Sequence, residues 1–193
     1  EYRKDDDLEQ VHLTLGFPGV SYTDPDFWAA NVLATILGGG MSSRLFQEVR
    51  ERRGLCYAIS AWSSSLVDGG NFGIYTGTRA DEVAELVPVL AEELRRACVA
   101  PAAEEMARAR AQIRAGLLMG LESTSARMDA LGSQILTYGR PIPPDEIVER
   151  IDAVDAERVA TVARRLFAGA PAMAAIGPLG RLETLDRIRA RIA

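Results

Sequence analysis

The chain has 193 residues, of which 48% are hydrophobic and 25% charged, and its formal net charge is −5. These values are typical of one globular domain that buries a core without disulfides or metal ions. An acidic chain lacks the basic surface that nucleic acids and anionic membranes require, so we expect neither partner. No apolar run approaches the roughly 18 residues of a membrane span.

The N-terminus and the cysteines bear on the compartment. Residues 1–7 carry no apolar segment of the signal-peptide type, and the chain begins without methionine, which favours a fragment or a processed product. Cys56 and Cys98 lie apart in apolar settings and form neither a disulfide framework nor a C-x-x-C motif. We therefore expect a cytoplasmic location, with a periplasmic one as the alternative, and the Ala- and Arg-rich composition favours a bacterial source.

The first half of the chain predicts strands and two helices. Residues 9–17 alternate apolar and polar side chains, the period of a half-buried strand. Asp24 and Pro25 predict the N-terminus of a helix that runs to Leu37, and Gly54 suits the position just past the end of a second helix capped by Ser42 or Ser43. A strand hairpin is predicted over about 55–65 and 71–78.

From residue 81 onward the pattern is mainly helical. The predicted helices lie near 81–99, 102–121, 124–138, 144–151, 155–167 and 181–192, and one buried strand is predicted at 172–177. Strands that come first and helices that follow indicate an α+β fold, with an antiparallel-rich sheet and helices packed on one face. We expect a single domain over residues 1–193.

Local motifs do not make this chain a self-sufficient hydrolase. His12 is the only histidine, whereas a zinc-binding H-x-x-E-H helix needs two. The nucleophile motif G-x-S-x-G is missing as well. The glycines at 38–40 precede a helix without the Walker pattern, so we interpret them as a tight connection. The sequence predicts no metal ligand.

Three residues in one segment could act on a peptide. Arg44 and Arg50 lie on the second predicted helix and Tyr57 just inside the next predicted strand, and guanidinium and phenol donors can hold a peptide carbonyl or stabilise an oxyanion. Solvated helix-end charges and an ordinary strand aromatic explain the same residues, and from local sequence alone this ordinary explanation is favoured for most such sets of three. For His12, on the polar face of its strand, a substrate contact and a hydrogen-bonded surface histidine both stay open.

One long segment resembles a family signature: residues 37–59, LGGGMSSRLFQEVRERRGLCYAI. It is similar to the C-terminal, zinc-free domain of the insulinase/pitrilysin metallopeptidases, and closest to the mitochondrial and bacterial processing peptidases. The strand at 10–16, the helix at 24–37 and the hairpin at 68–75 match the same family, and a weaker resemblance extends to residue 178.

The resemblance implies one half of a zinc metalloendopeptidase, in which two similar α+β halves enclose a substrate chamber. Zinc is expected in a partner N-terminal half, fused or separate, and none in this chain. By motif match Arg50 would hold the substrate and Tyr57 would stabilise the tetrahedral intermediate, both in trans to the zinc. Arg44 and His12 are predicted substrate contacts. The expected partners are the zinc-bearing half and a peptide, with a homodimer left open.

Two other functions remain compatible with the same residues. Relatives of this fold serve as non-catalytic core subunits of respiratory complexes, and an exposed sheet edge can bind a peptide by strand addition. In each case the isolated chain is expected to cleave nothing. An H-x-x-E-H motif roughly 150–200 residues upstream in the parent reading frame would favour the peptidase half.

Overall fold

The computed structural model describes residues 2–5 and 7–193, without the side chains of Tyr2 and Arg3. Its strands are β1 (Tyr2–Lys4), β2 (Gln10–Pro18), β3 (Ala58–Ser65), β4 (Gly70–Arg79) and β5 (Ala172–Gly177). Its α-helices are α1 (Phe27–Gly38), α2 (Val83–Ala97), α3 (Ala103–Gly120), α4 (Thr124–Tyr138), α5 (Pro144–Asp152), α6 (Ala156–Phe167) and α7 (Leu185–Ile192). A π-helical segment covers Phe46–Arg52, and a 3₁₀ turn covers Leu179–Arg181.

The strands form one sheet in the order β1-β5-β2-β4-β3. β1 pairs with β5 in parallel, and the other neighbours are antiparallel. β2 is the middle strand, and its alternation places Val11, Leu13 and Leu15 on a fully buried face. Helices cover that face, which confirms the predicted α+β fold.

The core lies between the buried face of the sheet and the helices α1, α2 and α6. α1 is apolar almost all round because it packs against β3 on one side and against α3 and α6 on others. Its last residue, Gly38, lies so close to β3 that a Cβ there would stand 2.2 Å from the backbone nitrogen of Ala61. No helix of the described chain is long and apolar enough to cross a membrane.

Several predicted boundaries differ from the structure. α1 begins at Phe27, because the Asp24 carboxylate accepts the N–H of Asp26 in a turn that precedes the helix, so the predicted cap was wrong. The second helix begins at Arg44 and becomes π-helical, with no capping bond from either serine; Ser43 donates its hydroxyl to the Gly40 carbonyl instead.

The chain ends also differ from the predicted elements. Strand β1 was not predicted, since three residues are too few for a period to show. The predicted C-terminal helix, 181–192, begins later, at Leu185: Arg181 ends the 3₁₀ turn, and residues 182–184 are not helical.

Candidate functional site

The structure brings Arg50 and Tyr57 together at one end of the sheet. Arg50 lies in the π-helical segment, and its Cζ is 4.6 Å from the Phe46 ring centre and 5.5 Å from that of Tyr57. Between them the chain reverses at Gly54, which has φ = +65°. Glycine adopts this left-handed conformation without strain, so the predicted helix end also positions the two side chains.

Both functional groups remain available to a ligand. Tyr57 is anchored by its backbone N–H, which donates to the Gly77 carbonyl at 3.0 Å, while its side chain is 75% exposed. Among the residues that the structure describes, the Arg50 guanidinium makes no hydrogen bond or ion pair. Stacking on aromatic faces orients the cation and leaves its N–H donors unused.

Glu48, a carboxylate close to Arg50 in sequence, bonds two other arginines. Its two carboxylate oxygens accept from Arg52 at 2.8 Å and from Arg53 at 3.0 Å. Those contacts lower the pKa of the Glu48 carboxyl, the largest cause being the bond from Arg53. Glu48, two residues before Arg50, is therefore occupied by the two helix-end arginines, and Arg50 lies beside the Tyr57 ring instead.

Arg44 is held in a different environment. Its guanidinium donates to both carboxylate oxygens of Glu105, at 2.6 and 2.8 Å, and to the carbonyl of Arg96 at 3.3 Å. The bond from Arg44 is the largest cause of the lowered pKa of Glu105. Glu105 also accepts the Ala102 N–H at the start of α3, at 2.9 Å. This forked pair ties the beginning of the second helix to α3.

His12 lies on the open face of the sheet, as predicted from the alternation of β2. Its Nδ1 is 2.8 Å from the Tyr75 hydroxyl, and the two rings stack with centroids 6.1 Å apart. Gly77 lies beside this pair: a Cβ there would stand 3.4 Å from the hydroxyl and 3.8 Å from Nδ1. The carbonyl of Gly77 also accepts the Tyr57 N–H, so Gly77 lies next to both Tyr57 and the His12–Tyr75 pair.

Tyr75 was not predicted as part of a site. Its hydrogen bond with His12 joins β4 to β2, whose residue pairs place Thr14 opposite Tyr75 and His12 opposite Gly77. The signal that could have found it is strand parity, because residues at alternate positions of paired strands share a face.

The open face of the sheet is built largely from small side chains. Its outer residues include Ala172 and Ala174 on β5, which are exposed, and Trp62 on β3. The Trp62 ring covers Gly73, where a Cβ would lie 2.1 Å from the ring. Small residues beside one flat indole leave a shallow surface on which a chain could lie extended.

The described residues do not fit a zinc ion. No group of three or more His, Cys, Asp or Glu side chains that could hold a metal occurs in the ranges 2–5 and 7–193. His12 is bonded to Tyr75, and burial raises the pKa of the free thiols of Cys56 and Cys98. We therefore derive no chemical step of this chain through a metal.

Comparison with protein families identifies a match over more than half of the chain. A family model described as "Peptidase M16 inactive domain" matches residues 1–113. The matched range contains the Arg50–Tyr57 segment and the first four strands.

Curated relatives extend the match along the chain. An uncharacterized zinc protease of Streptomyces coelicolor is 41% identical over 172 residues, which are 89% of this chain and 38% of the relative. An uncharacterized zinc protease of Rickettsia bellii is 40% identical, with 89% and 42% covered. The uncharacterized zinc protease YmxG of Bacillus subtilis is 37% identical, with 92% and 44% covered. The chain thus spans about two fifths of the length of these relatives.

A solved structure shares the complete fold. A chain of "Complex III2 from Candida albicans, Inz-5 bound" superposes with a TM-score of 0.90 and 22% identity, covering 100% of this chain and 49% of that one. At this level of identity the likeness concerns the fold alone.

Proposed function

Since this chain belongs to the insulinase/pitrilysin (M16) family of zinc peptidases, we propose that it is the non-metal-binding half of a zinc metalloendopeptidase. The observation that carries the proposal is the pair formed by Arg50 and Tyr57. One is a cation without a bonded anion in the described chain, and the other is a phenol that is three-quarters exposed beside it.

The pair suits the two demands of peptide-bond hydrolysis. The Arg50 guanidinium, oriented by two aromatic rings, would donate its N–H groups to a substrate carbonyl oxygen and fix the peptide backbone. The Tyr57 hydroxyl would donate to the oxygen that becomes negative as the carbonyl carbon turns tetrahedral. Zinc in the partner half would supply the activated water. We assign no metal ligand to this chain.

The open face of the sheet is proposed as one wall of the substrate chamber. His12 and Tyr75 form its polar point, and His12 is the substrate contact we assign there. For Arg44 the two bonds to Glu105 favour a structural role over a substrate contact, because a guanidinium already satisfied by a carboxylate has fewer donors to offer.

The proposed partners of this chain follow from the greater length of its relatives. A chain that spans about two fifths of zinc proteases would work with a zinc-bearing half, fused or separate, and with peptides or unfolded proteins as substrates. A homodimer of such two-half units is compatible with this arrangement. The relatives reported above are bacterial, and a cytoplasmic location is proposed with them.

A non-catalytic core subunit is the alternative function. That role needs the fold, which is shared with a chain of the Candida albicans Complex III2 structure, but it does not need an unpaired arginine beside an exposed phenol. The Arg50–Tyr57 pair therefore favours the peptidase half. Absence of an H-x-x-E-H motif from the parent frame and from its neighbouring genes would favour the subunit.

The experiment combines this chain with its metal-bearing half. We expect neither to cleave an unfolded protein alone, and the mixture to do so. In the mixture Tyr57→Phe should lower kcat by about 10- to 1,000-fold with a smaller effect on KM, as loss of one oxyanion donor does. Tyr22→Phe removes a hydroxyl remote from the site and is the matched control. Unchanged turnover of Tyr57→Phe would remove the role given to Tyr57.

Metal analysis provides the second test. The isolated chain should hold no stoichiometric zinc after dialysis, whereas the assembled enzyme should hold the zinc of the other half. One tightly bound zinc per isolated chain would overturn the assignment.

A further inference from the structure

Two aromatic rings lie beside the Arg50 guanidinium, and one of them is held by the core. The Phe46 ring is partly buried and packs against the main cluster of buried residues, whereas the Tyr57 side chain is 75% exposed. The Phe46 ring centre is also the nearer, at 4.6 Å from the Arg50 Cζ against 5.5 Å for Tyr57. Cation–π attraction acts over about 6 Å and requires the cation to lie over a ring face. Phe46 therefore offers the nearer and more firmly held ring face.

The π-helical segment places Phe46 and Arg50 side by side. They are four residues apart, which is close to one turn of such a helix. Leu45 and Val49, the residue before each of them, have the same separation and are both 0% exposed. These two buried side chains fix which side of the segment faces the core. Phe46 and Arg50 lie next to that side, both partly buried, so the core that anchors the segment also sets their relative position.

The ring differs from a carboxylate in what it leaves to a ligand. Arg44, six residues earlier in the chain, is held by Glu105, whose two oxygens accept N–H groups of its guanidinium. A phenyl ring attracts a cation through the charge distribution of its face and offers no oxygen to bond those N–H groups. Arg50 makes no hydrogen bond or ion pair in the described part of the chain, so its donors stay available. A cation held in this way is positioned but not neutralised.

We propose that Phe46 is a positioning residue of the candidate site: its ring holds the Arg50 guanidinium, by a cation–π contact, where the substrate carbonyl is bound. This role rests on the proposed function, because Phe46 acts only through Arg50. What holds the cation is the charge on the ring face, rather than the volume or the apolar character of the side chain. A side chain of similar size without that charge would fill the same space and no longer hold the cation.

The experiment varies the charge of the ring face at nearly constant shape. Phe46 is replaced by mono-, di- and trifluorinated phenylalanine in the mixture of this chain with its metal-bearing half, since each fluorine withdraws electron density from the ring face. Phe46→Leu removes the ring, and Phe46→Tyr keeps one. Phe27 is the matched control: it takes the same fluorinated residues, and its ring contacts Tyr22 and Trp28 instead of an arginine.

We expect kcat/KM to fall with each added fluorine at Phe46, by about two- to fivefold for the trifluorinated ring, and at least as far for Phe46→Leu. Phe46→Tyr and the fluorinated Phe27 controls should turn over like the wild type. The series should have no effect in an Arg50→Ala background, where there is no cation to hold. The melting temperature of this chain should follow the same pattern and fall with fluorination only when Arg50 is present.

Wild-type kcat/KM across the whole series, with Arg50→Ala impaired, overturns the positioning role and leaves the proposed function in place. An equal loss in the Arg50→Ala background also overturns it, because the ring would then act on the substrate or the core directly. Full kcat/KM of Arg50→Ala itself contradicts the proposed function, and the positioning role falls with it.

Discussion

Replacing Arg44 with alanine should destabilise the fold rather than impair a substrate contact. The guanidinium makes a forked pair with Glu105 at 2.6 and 2.8 Å, and the two side chains are only 18% and 20% exposed. Hydrogen bonds to charged groups contribute about 1.5–3 kcal/mol each when a partly buried partner is left behind. Glu105 keeps the Ala102 N–H, so we expect a loss of about 2 kcal/mol in the free energy of unfolding.

A domain of this size melts about 2–4 °C lower for each kcal/mol that it loses. Arg44→Ala should therefore melt roughly 4–8 °C below the wild type at pH 7. Urea unfolding and thermal denaturation of the isolated chain measure this loss. Arg44→Lys keeps the charge but not the forked pair, so its melting temperature should lie between those of the wild type and Arg44→Ala.

The pH dependence of this stability loss tests whether Glu105 is the partner of Arg44. The bond from Arg44 holds the pKa of Glu105 below its usual value in the folded state, so the pair stabilises the fold above about pH 4.5 and loses this effect as pH falls through the folded pKa. The difference between Arg44→Ala and the wild type should be full at pH 7 and shrink on acidification. A double-mutant cycle with Glu105→Gln should give a coupling energy above 0.5 kcal/mol.

The opposite result is equally specific. An unchanged melting temperature at pH 7, together with reduced turnover of the assembled enzyme, would show that Arg44 contacts substrate, as the sequence predicts. The structural role would then be refuted.

Three further predictions concern activity, packing and acid stability. Arg50→Ala should lower kcat/KM of the assembled enzyme at least tenfold, yet lower the free energy of unfolding by only about 0.5–1 kcal/mol, because the guanidinium makes no ion pair in the described chain and loses only its contacts with the Phe46 and Tyr57 rings. Gly38→Ala should cost about 1–3 kcal/mol in urea unfolding, since its Cβ would overlap the backbone of β3, whereas Gly40→Ala, with 3.6 Å to its nearest neighbour, should be close to neutral. Asp24→Asn should cost about 0.5–1 kcal/mol at pH 7, a small value because Arg165 is half exposed; this loss should fade below about pH 4, since the bond from Arg165 lowers the pKa of Asp24 and the pair stabilises only the ionised form.

Elements that show a clear apolar pattern along their whole length were predicted well. The alternation over residues 9–17 corresponds to β2, and the predicted ranges 124–138 and 172–177 coincide with α4 and β5. β1 could not be found, because its partner strand β5 follows about 170 residues later in the chain and no local pattern reports that pairing. Likewise the turn from Asp24 to Asp26 delays α1 through a side-chain bond that composition does not reveal.

The candidate site divides in the same way. The spacing of Arg50 and Tyr57 was visible in the sequence. Their joint role was predicted only from the family resemblance, because helix-end charges and a strand aromatic also explain these residues. The bond between His12 and Tyr75 spans 63 residues, and the fork between Arg44 and Glu105 spans 61. Contacts at these separations depend on how strands and helices pack, so the environment of each side chain emerged only from the fold.

After the turn at Gly54, the position of Tyr57 directly before β3 decides on which side of the strand its phenol lies, and so whether the phenol is near Arg50. Side chains alternate between the two sides of a strand, and β3 begins directly after Tyr57. One residue inserted between Tyr57 and β3 would carry the phenol to the other side of the strand, away from the guanidinium. Many substitutions between Gly54 and β3 are compatible with the site, whereas an insertion directly before β3 is not. Loop length is therefore a stricter marker than residue identity for chains of this family that retain the pair.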